Sequence, residues 1–190
     1  MSTRKVVYDK PLLIIYNPNS GKRANLYDLI VARLTTANLP YVFQYTTPSN
    51  LPYSIAKDAD YSLYSMIVAC GGDGTYHEVV NGMLARQDKL QLPFAFLPNG
   101  SGNDTCTSMG VLNLNDALDY IINGEVIAID TIKCLIDCER EEDIPEQEKS
   151  SKCRHMIING CIAMPARVVV EAQKYKACCG KQCYSVASIE

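Results

Sequence analysis

The sequence predicts an α/β fold built on a parallel sheet, and three observations carry that expectation. Four short apolar segments lie within residues 8–128, each followed by turn residues and then by a helical pattern. Strands that alternate with helices pair in parallel through right-handed crossovers. Beyond that stretch the alternation stops: "VIAIDTIKCLID" and "HMIINGCIAM" are strand-like, with no helical pattern between them.

The elements follow in order. "PLLIIYNPNSGK" gives a strand ending at Asn17-Pro18, then a helix from about Ala24 to Ala37 whose apolar face is Leu26, Leu29, Ile30, Ala32 and Leu34. "YVFQYTT" is the second strand, followed by a short helix near Ser54 to Ala59. Met66 to Cys70, apolar and bounded by glycine, is a buried third strand. The helix after it runs from Thr75 to Leu84, with Val79, Val80, Met83 and Leu84 at helical spacing. "FAFLPNGSGND" supplies the fourth strand, and "NLNDALDYIINGE" a helix with Asn113 or Asn115 as cap and Gly124 near its stop. Residues 8–128 therefore form an α/β domain of Rossmann-like character, and residues 129–190 a second part. That part holds a charged, apolar-poor loop at residues 137–153 and a last helix from about Ala166 to Tyr175.

A formal net charge of −3 and the lack of a basic tract exclude a nucleic-acid binder. The polar start and the shortness of Leu12 to Tyr16 exclude a signal-peptide core or a transmembrane segment there. A cytoplasmic chain is expected. Its nine cysteines, including Cys134, Cys138, Cys153, Cys161, Cys178, Cys179 and Cys183, are then thiols by default. "CCGKQC" offers no C-x-x-C pair and only His77 and His155 supply imidazole, so no metal site is expected.

In a parallel sheet the strand-to-helix loops emerge together beyond the carboxyl ends of the strands, where ligands bind. Three such loops are small, polar and glycine-bearing. In "NPNSGK", Asn17 and Ser20 offer side-chain hydrogen bonds, Gly21 close approach, and Lys22 a positive charge at a helix start. In "GGDGT", Asp73 is the only carboxylate among Gly71, Gly72, Gly74 and Thr75. In "LPNGSGND", Asn99, Ser101, Asn103 and Asp104 surround Gly100 and Gly102. Glycine lets a ligand reach bare backbone, and the amides of a helix start favour an anion. Each loop alone is explained as a turn; three on one edge point to a phosphate site.

"NPNSGK", "GGDGTYHEVVNGM" and "LPNGSGND", in this order and spacing, resemble the diacylglycerol kinase catalytic-domain family, which includes diacylglycerol, sphingosine and ceramide kinases. The resemblance covers about residues 11–130 and implies an NAD kinase/diacylglycerol kinase-like domain followed by a β-sandwich lobe. It implies ATP and Mg2+ as cofactors, a lipid hydroxyl as acceptor at a membrane surface, and peripheral membrane contact; pairing of two copies into a homodimer is left open. It places Asn17, Pro18, Asn19, Thr47 and Asn50 against the nucleotide. Gly71, Gly72 and Gly74 lie against the phosphates with Thr75 and Glu78 nearby, and Gly100, Ser101 and Gly102 line the same pocket.

Phosphoryl transfer asks a protein mainly for positioning and charge neutralisation. Asp73 suits a general base, as the resemblance to sphingosine kinases implies, or an outer ligand of magnesium, or a carboxylate that stabilises its own turn. Glu78 is equally an exposed first-turn carboxylate satisfied by the helix dipole, and His77 a packed or surface histidine.

Two departures stand beside the resemblance. "NGCIAMPARVVV" puts Met164 or Pro165 where sphingosine kinases place an acidic residue near the lipid headgroup. The sequence also ends at Glu190, after what resembles only the opening of the second lobe, so an ATP-dependent lipid kinase acting on diacylglycerol, a sphingoid base or ceramide, or the nucleotide-binding part of one, is expected. The alternatives are an NAD kinase-like enzyme, which shares "GGDGT" but not "LPNGSGND", and a non-catalytic nucleotide-binding remnant.

Overall fold

The computed structural model describes residues 4–21 and 26–157, and beyond them residues 168, 170–172, 174, 175 and 182. A short β1 (Arg4–Lys5) leads into β2 (Leu12–Tyr16), α1 (Leu26–Thr36), β3 (Tyr41–Tyr45), α2 (Pro52–Asp58), β4 (Met66–Gly71) and α3 (Asp73–Leu84). Then come β5 (Phe94–Pro98), α4 (Asp104–Ser108), α5 (Leu114–Asn123), β6 (Glu125–Val126), β7 (Ile132–Leu135), α6 (Lys149–Lys152) and β8 (Cys153–Met156).

Four strands form one parallel sheet in the order β3-β2-β4-β5. Period-2 alternation along apolar strands gives that sheet two buried faces. Leu12 and Ile14 of β2, with Met66, Val68 and Cys70 of β4, pack under Leu26, Ile30 and Leu34 of α1 and Leu114, Leu118 and Ile121 of α5. Leu13, Ile15, Ile67 and Ala69 turn the other way, under Ile55 and Ala56 of α2 and Tyr76, Val79 and Met83 of α3. The central strands β2 and β4 are thus covered on both sides.

Several expected bounds shift for local reasons. Helix α1 buries Leu26, Ile30 and Leu34, whereas Ala32 is exposed, because two residues from Ile30 is about 200° around a helix. Pro52 opens α2 two residues earlier than expected, its fixed φ suiting a first helical turn. Asn113, not Asn115, caps α5: its Oδ1 accepts from the amides of Asn115 at 2.9 Å and Asp116 at 3.1 Å. Gly124 closes that helix in the left-handed region at φ 67°.

"VIAIDTIKCLID" divides between two sheets, since β6 pairs antiparallel with β1 and β7 pairs antiparallel with β8. The loop at residues 137–153 is not free of structure: two 3-10 turns and α6 lie in it. Exposed ion pairs Arg140–Asp143, Lys149–Glu146 and Lys152–Glu148, three or four residues apart, line its surface, and Ile144 is buried within it.

The chain divides into two compact units, residues 1–157 and 158–190. The first takes in the β7–β8 hairpin. In the second, the described residues from 168 to 175 are helical, Ala172 is buried against Val168 and Tyr175, and Lys174 pairs with Glu171. Lys22, Arg23, Met164, Pro165, Cys161, Cys178, Cys179 and Cys183 lie outside the described residues. Among the described ones, Cys70, Cys106, Cys134, Cys138 and Cys153 form no disulfide, no cluster of ligating side chains comes together, and no helix is long and apolar enough to cross a membrane.

Candidate functional site

The chain leaves β2 towards β3 on one side and returns to β4 on the other, so the loops after β2 and β4 part at a topological switch point. The strands reach that edge at Tyr16, Tyr45, Gly71 and Pro98. All three glycine-bearing turns therefore emerge together.

The first turn is built around Asn17. Its amide donates to the Cys70 carbonyl at 2.9 Å, its Oδ1 accepts from the Asn19 amide at 3.0 Å, and its carbonyl accepts from Ser20 Oγ at 2.9 Å. Pro18 and Asn19 sit exposed at the tip. Gly21 has φ 68°, and a β-carbon there would lie 2.1 Å from the Asn99 carbonyl oxygen. Both conformation and space demand glycine.

Side chains then cross-tie the turns. Asn17 Nδ2 donates to Thr75 Oγ1 at 3.0 Å, joining the first turn to α3. Asn99 donates its Nδ2 to the Ser20 carbonyl, joining the third turn to the first, while its Oδ1 is buried without a partner. Asp73 joins the second to the third, its Oδ1 accepting from the Thr105 amide at 2.9 Å and its Oδ2 from the Asp104 amide at 3.2 Å. Of the three roles open to Asp73, the geometry displays a cap on a neighbouring helix rather than a bond to its own turn. Each carboxylate oxygen keeps a further lone pair.

The third turn folds on itself. Asn103, in the left-handed region at φ 59°, accepts from the Gly100 amide at 2.7 Å and donates to the Gly100 carbonyl at 3.0 Å. Ser101 is half-buried, and Gly102 and Asp104 are exposed. Gly72 and Gly100 meet backbone to backbone, for a β-carbon on Gly100 would lie 2.5 Å from Gly72 Cα. Gly71 is enclosed by Thr75, whose Oγ1 would be 2.4 Å from a β-carbon. Gly74 differs: it is exposed, with nothing within 4 Å of the place a β-carbon would take. It is the glycine of this turn with bare backbone facing open space, at a helix start where the amides of Asp73 and Gly74 have no intrahelical partner, while that of Thr75 already donates to the Gly72 carbonyl at 2.8 Å.

Two sets of expected residues stand apart from this network. Thr47 and Asn50 close a tight turn of their own after β3, each amide donating to the other's carbonyl at 3.1 Å, and both are exposed. Glu78 is engaged by Arg154 of β8.

Sequence reasoning missed Tyr76. Fully buried, its hydroxyl donates towards the Gly71 carbonyl at 2.8 Å and the Leu97 carbonyl at 3.0 Å, buckling β4 and β5 just before their turns. Burial holds its phenol far above the usual tyrosine range, the adjacent Cys106 thiol adding to the effect. The only signal was a hydroxyl on the apolar face of a helix. The short α4, too, was not expected.

The diacylglycerol kinase catalytic domain matches residues 11–134, which include all three turns. The chain belongs to the diacylglycerol kinase catalytic-domain family. A diacylglycerol kinase of Bacillus subtilis (strain 168) is 32% identical over 121 residues, covering 62% of this chain and 39% of that protein. Sphingosine kinase 1 of Arabidopsis thaliana is 35% identical over 106 residues, covering 53% of this chain and 22% of that protein. This diacylglycerol kinase-family chain thus spans well under half the length of these curated relatives. A diacylglycerol kinase crystal structure from Bacillus anthracis str. Sterne superposes with a TM-score of 0.55 at 26% identity, over 64% of this chain and 42% of that one. The parallel four-stranded sheet is accordingly the family's fold.

Proposed function

We propose that this chain is the nucleotide-binding part of an ATP-dependent lipid kinase, which moves the γ-phosphate to the hydroxyl of a diacylglycerol, sphingoid base or ceramide. One observation carries the reading: three glycine-bearing turns, tied to one another by Asn17–Thr75, Asn99–Ser20 and Asp73–Thr105, meet at the switch point of the sheet. Turns locked together in this way hold their amides ready before ligand arrives, which is how charge is stabilised without reorganisation.

On this reading Gly74 and the first amides of α3 receive phosphate oxygens, and the tip at Pro18 and Asn19 borders the nucleotide. Asp73, held by two amides of the third turn, takes the proton as the acceptor oxygen bonds to the γ-phosphorus and the bond to the bridging oxygen breaks, releasing ADP. Magnesium fits as an ion carried mainly by phosphate and water, with Asp73 and Asp104 as the carboxylates of these turns; it would neutralise the charge that develops on the phosphates. Residues 8–128 then form the nucleotide-binding domain, and residues 129–190 begin the acceptor lobe that meets the membrane surface.

Titration calorimetry with Mg-ATP, beside incubation with labelled ATP and mixed micelles of diacylglycerol, sphingosine or ceramide, tests this. Saturable nucleotide binding that is lost when the turns are altered is expected. Absence of nucleotide binding by a folded chain would overturn the reading.

A further inference from the structure

The second half of "GGDGTYHEVVNGM" has no place in the phosphate turns, yet Glu78, Asn81 and Gly82 are all committed. Asn81 is 3% exposed. Its Oδ1 accepts from the His155 amide at 2.7 Å, and its Nδ2 donates to the His155 carbonyl at 3.0 Å and to the His77 carbonyl at 2.8 Å. The amide cannot be turned over, since that would set donor against donor and oxygen against two carbonyls. Asn81 therefore does for β8 what a neighbouring strand would do, pairing both backbone groups of one residue.

Around it, Arg154 of the same strand pairs with Glu78 and lies over the Tyr53 ring, 5.7 Å from its centroid. Tyr53 reaches that place because α2 crosses α3 at Gly82, where a β-carbon would stand 2.3 Å from the Tyr53 carbonyl oxygen. So three motif residues within little more than one turn of α3, Glu78 and Asn81 directly and Gly82 through Tyr53, all serve to seat the β7–β8 hairpin. The N-terminus of this same helix is the phosphate turn.

We propose that Asn81 is a positioning residue: it fixes the register of the β7–β8 hairpin on α3, and so sets where the acceptor lobe begins relative to the phosphate turn without touching nucleotide. The functional half of this rests on the lipid-kinase reading. The hairpin lies along the flank of α3 while the turn lies at its tip, so one helix gauges the distance between donor and acceptor. Loosening the clamp should leave nucleotide binding intact and spoil acceptor use.

The test compares the full chain with Asn81→Ala, Arg154→Ala and Arg154→Lys. Hydrogen exchange at residues 153–157 should quicken at least about tenfold in Asn81→Ala while the amides of β2 and β4 stay protected. Mg-ATP affinity should stay within about twofold of the parent, and the KM for diacylglycerol or sphingosine micelles should rise about tenfold in the same variant. Arg154→Ala, which leaves α3 untouched, should follow in the same direction, and Arg154→Lys should recover part of the effect through Glu78. Should Asn81→Ala fail to fold, the Arg154 pair carries the comparison alone. Unchanged exchange in the hairpin would overturn the clamp. A loss of ATP affinity equal to the loss of acceptor use would overturn the positioning role. If the unaltered chain binds no nucleotide, it is the kinase reading that fails; if it binds nucleotide but phosphorylates no lipid, the acceptor-setting half of the proposal is overturned for this chain; in both cases the exchange measurement still decides the clamp.

Discussion

Asp73 and Thr105 are joined across two loops: the carboxylate at the start of α3 accepts the amide at the start of α4, 2.9 Å away. The residue proposed to take the proton is thus also a helix cap, and its replacement acts on two observables. Asp73→Asn keeps an acceptor for the Thr105 amide but loses charge and sets its NH2 group against the Asp104 amide, so stability should drop by about 1–2 kcal/mol. Turnover of lipid should fall by about a hundredfold or more, with ATP affinity far less affected. Turnover equal to the parent's would leave Asp73 with the capping role alone.

The glycines separate two demands that sequence alone merges. Gly74→Ala meets open space and should leave the melting temperature unchanged or slightly raised, yet weaken Mg-ATP at least about tenfold by covering bare backbone. Gly100→Ala drives a methyl into the Gly72 backbone and should destabilise by about 1–3 kcal/mol. Thermal melts and calorimetry on the two variants decide; equal behaviour would mean the turns share one role.

Tyr76→Phe removes a hydroxyl that bridges two strand ends. The ring stays, so packing is kept and the expected loss is about 1 kcal/mol, read as a lowered urea midpoint with an unchanged slope. An unaltered midpoint would show that the Gly71 and Leu97 carbonyls need no such buckle.

Stability should fall as pH drops below the usual imidazole value of 6.5, because burial lowers the pKa of both His77 and His155 in the folded chain. Arg154 lowers that of His77 further, and Lys133 that of His155. Between the unfolded value and the lower folded ones the unfolded chain binds more protons, so acid favours it. Urea midpoints at pH 7.5 and 5.5 should differ, and the difference should shrink in a His77→Gln/His155→Gln double variant. A pH-independent midpoint across that window would contradict the shifts.

How much of this was legible in the sequence depended on whether neighbours in space were neighbours in the chain. The four parallel strands, α1, α3 and α5 were readable because periodicity is local: "LLIIY" and "MIVAC" can hardly be other than buried strands. The three turns were readable from glycine and small polar residues. What each glycine is for was not: Gly72 and Gly74 differ by whether Gly100 stands opposite, a fact about a loop some thirty residues away. Likewise Glu78 read equally as a solvated helix-start carboxylate or a ligand-facing one, since its partner Arg154 is 76 positions off. The buckle by Tyr76 and the seat made by Asn81 were hidden for the same reason.

The strand order also governs how the chain can be made. Of the four strands in the parallel sheet, β2 is synthesised before the other three yet lies in the middle, with β3 beside Leu12–Tyr16 on one flank and β4 on the other. Until residue 71 has emerged, its second flank has no partner, and until α5 is complete at Asn123 the face it shares with α1 lacks part of its cover. A nascent chain arrested before residue 71 carries "LLIIY" with one edge unpaired and, lacking α3, one face partly bare, which makes it a natural client for whatever holds hydrophobic segments during translation.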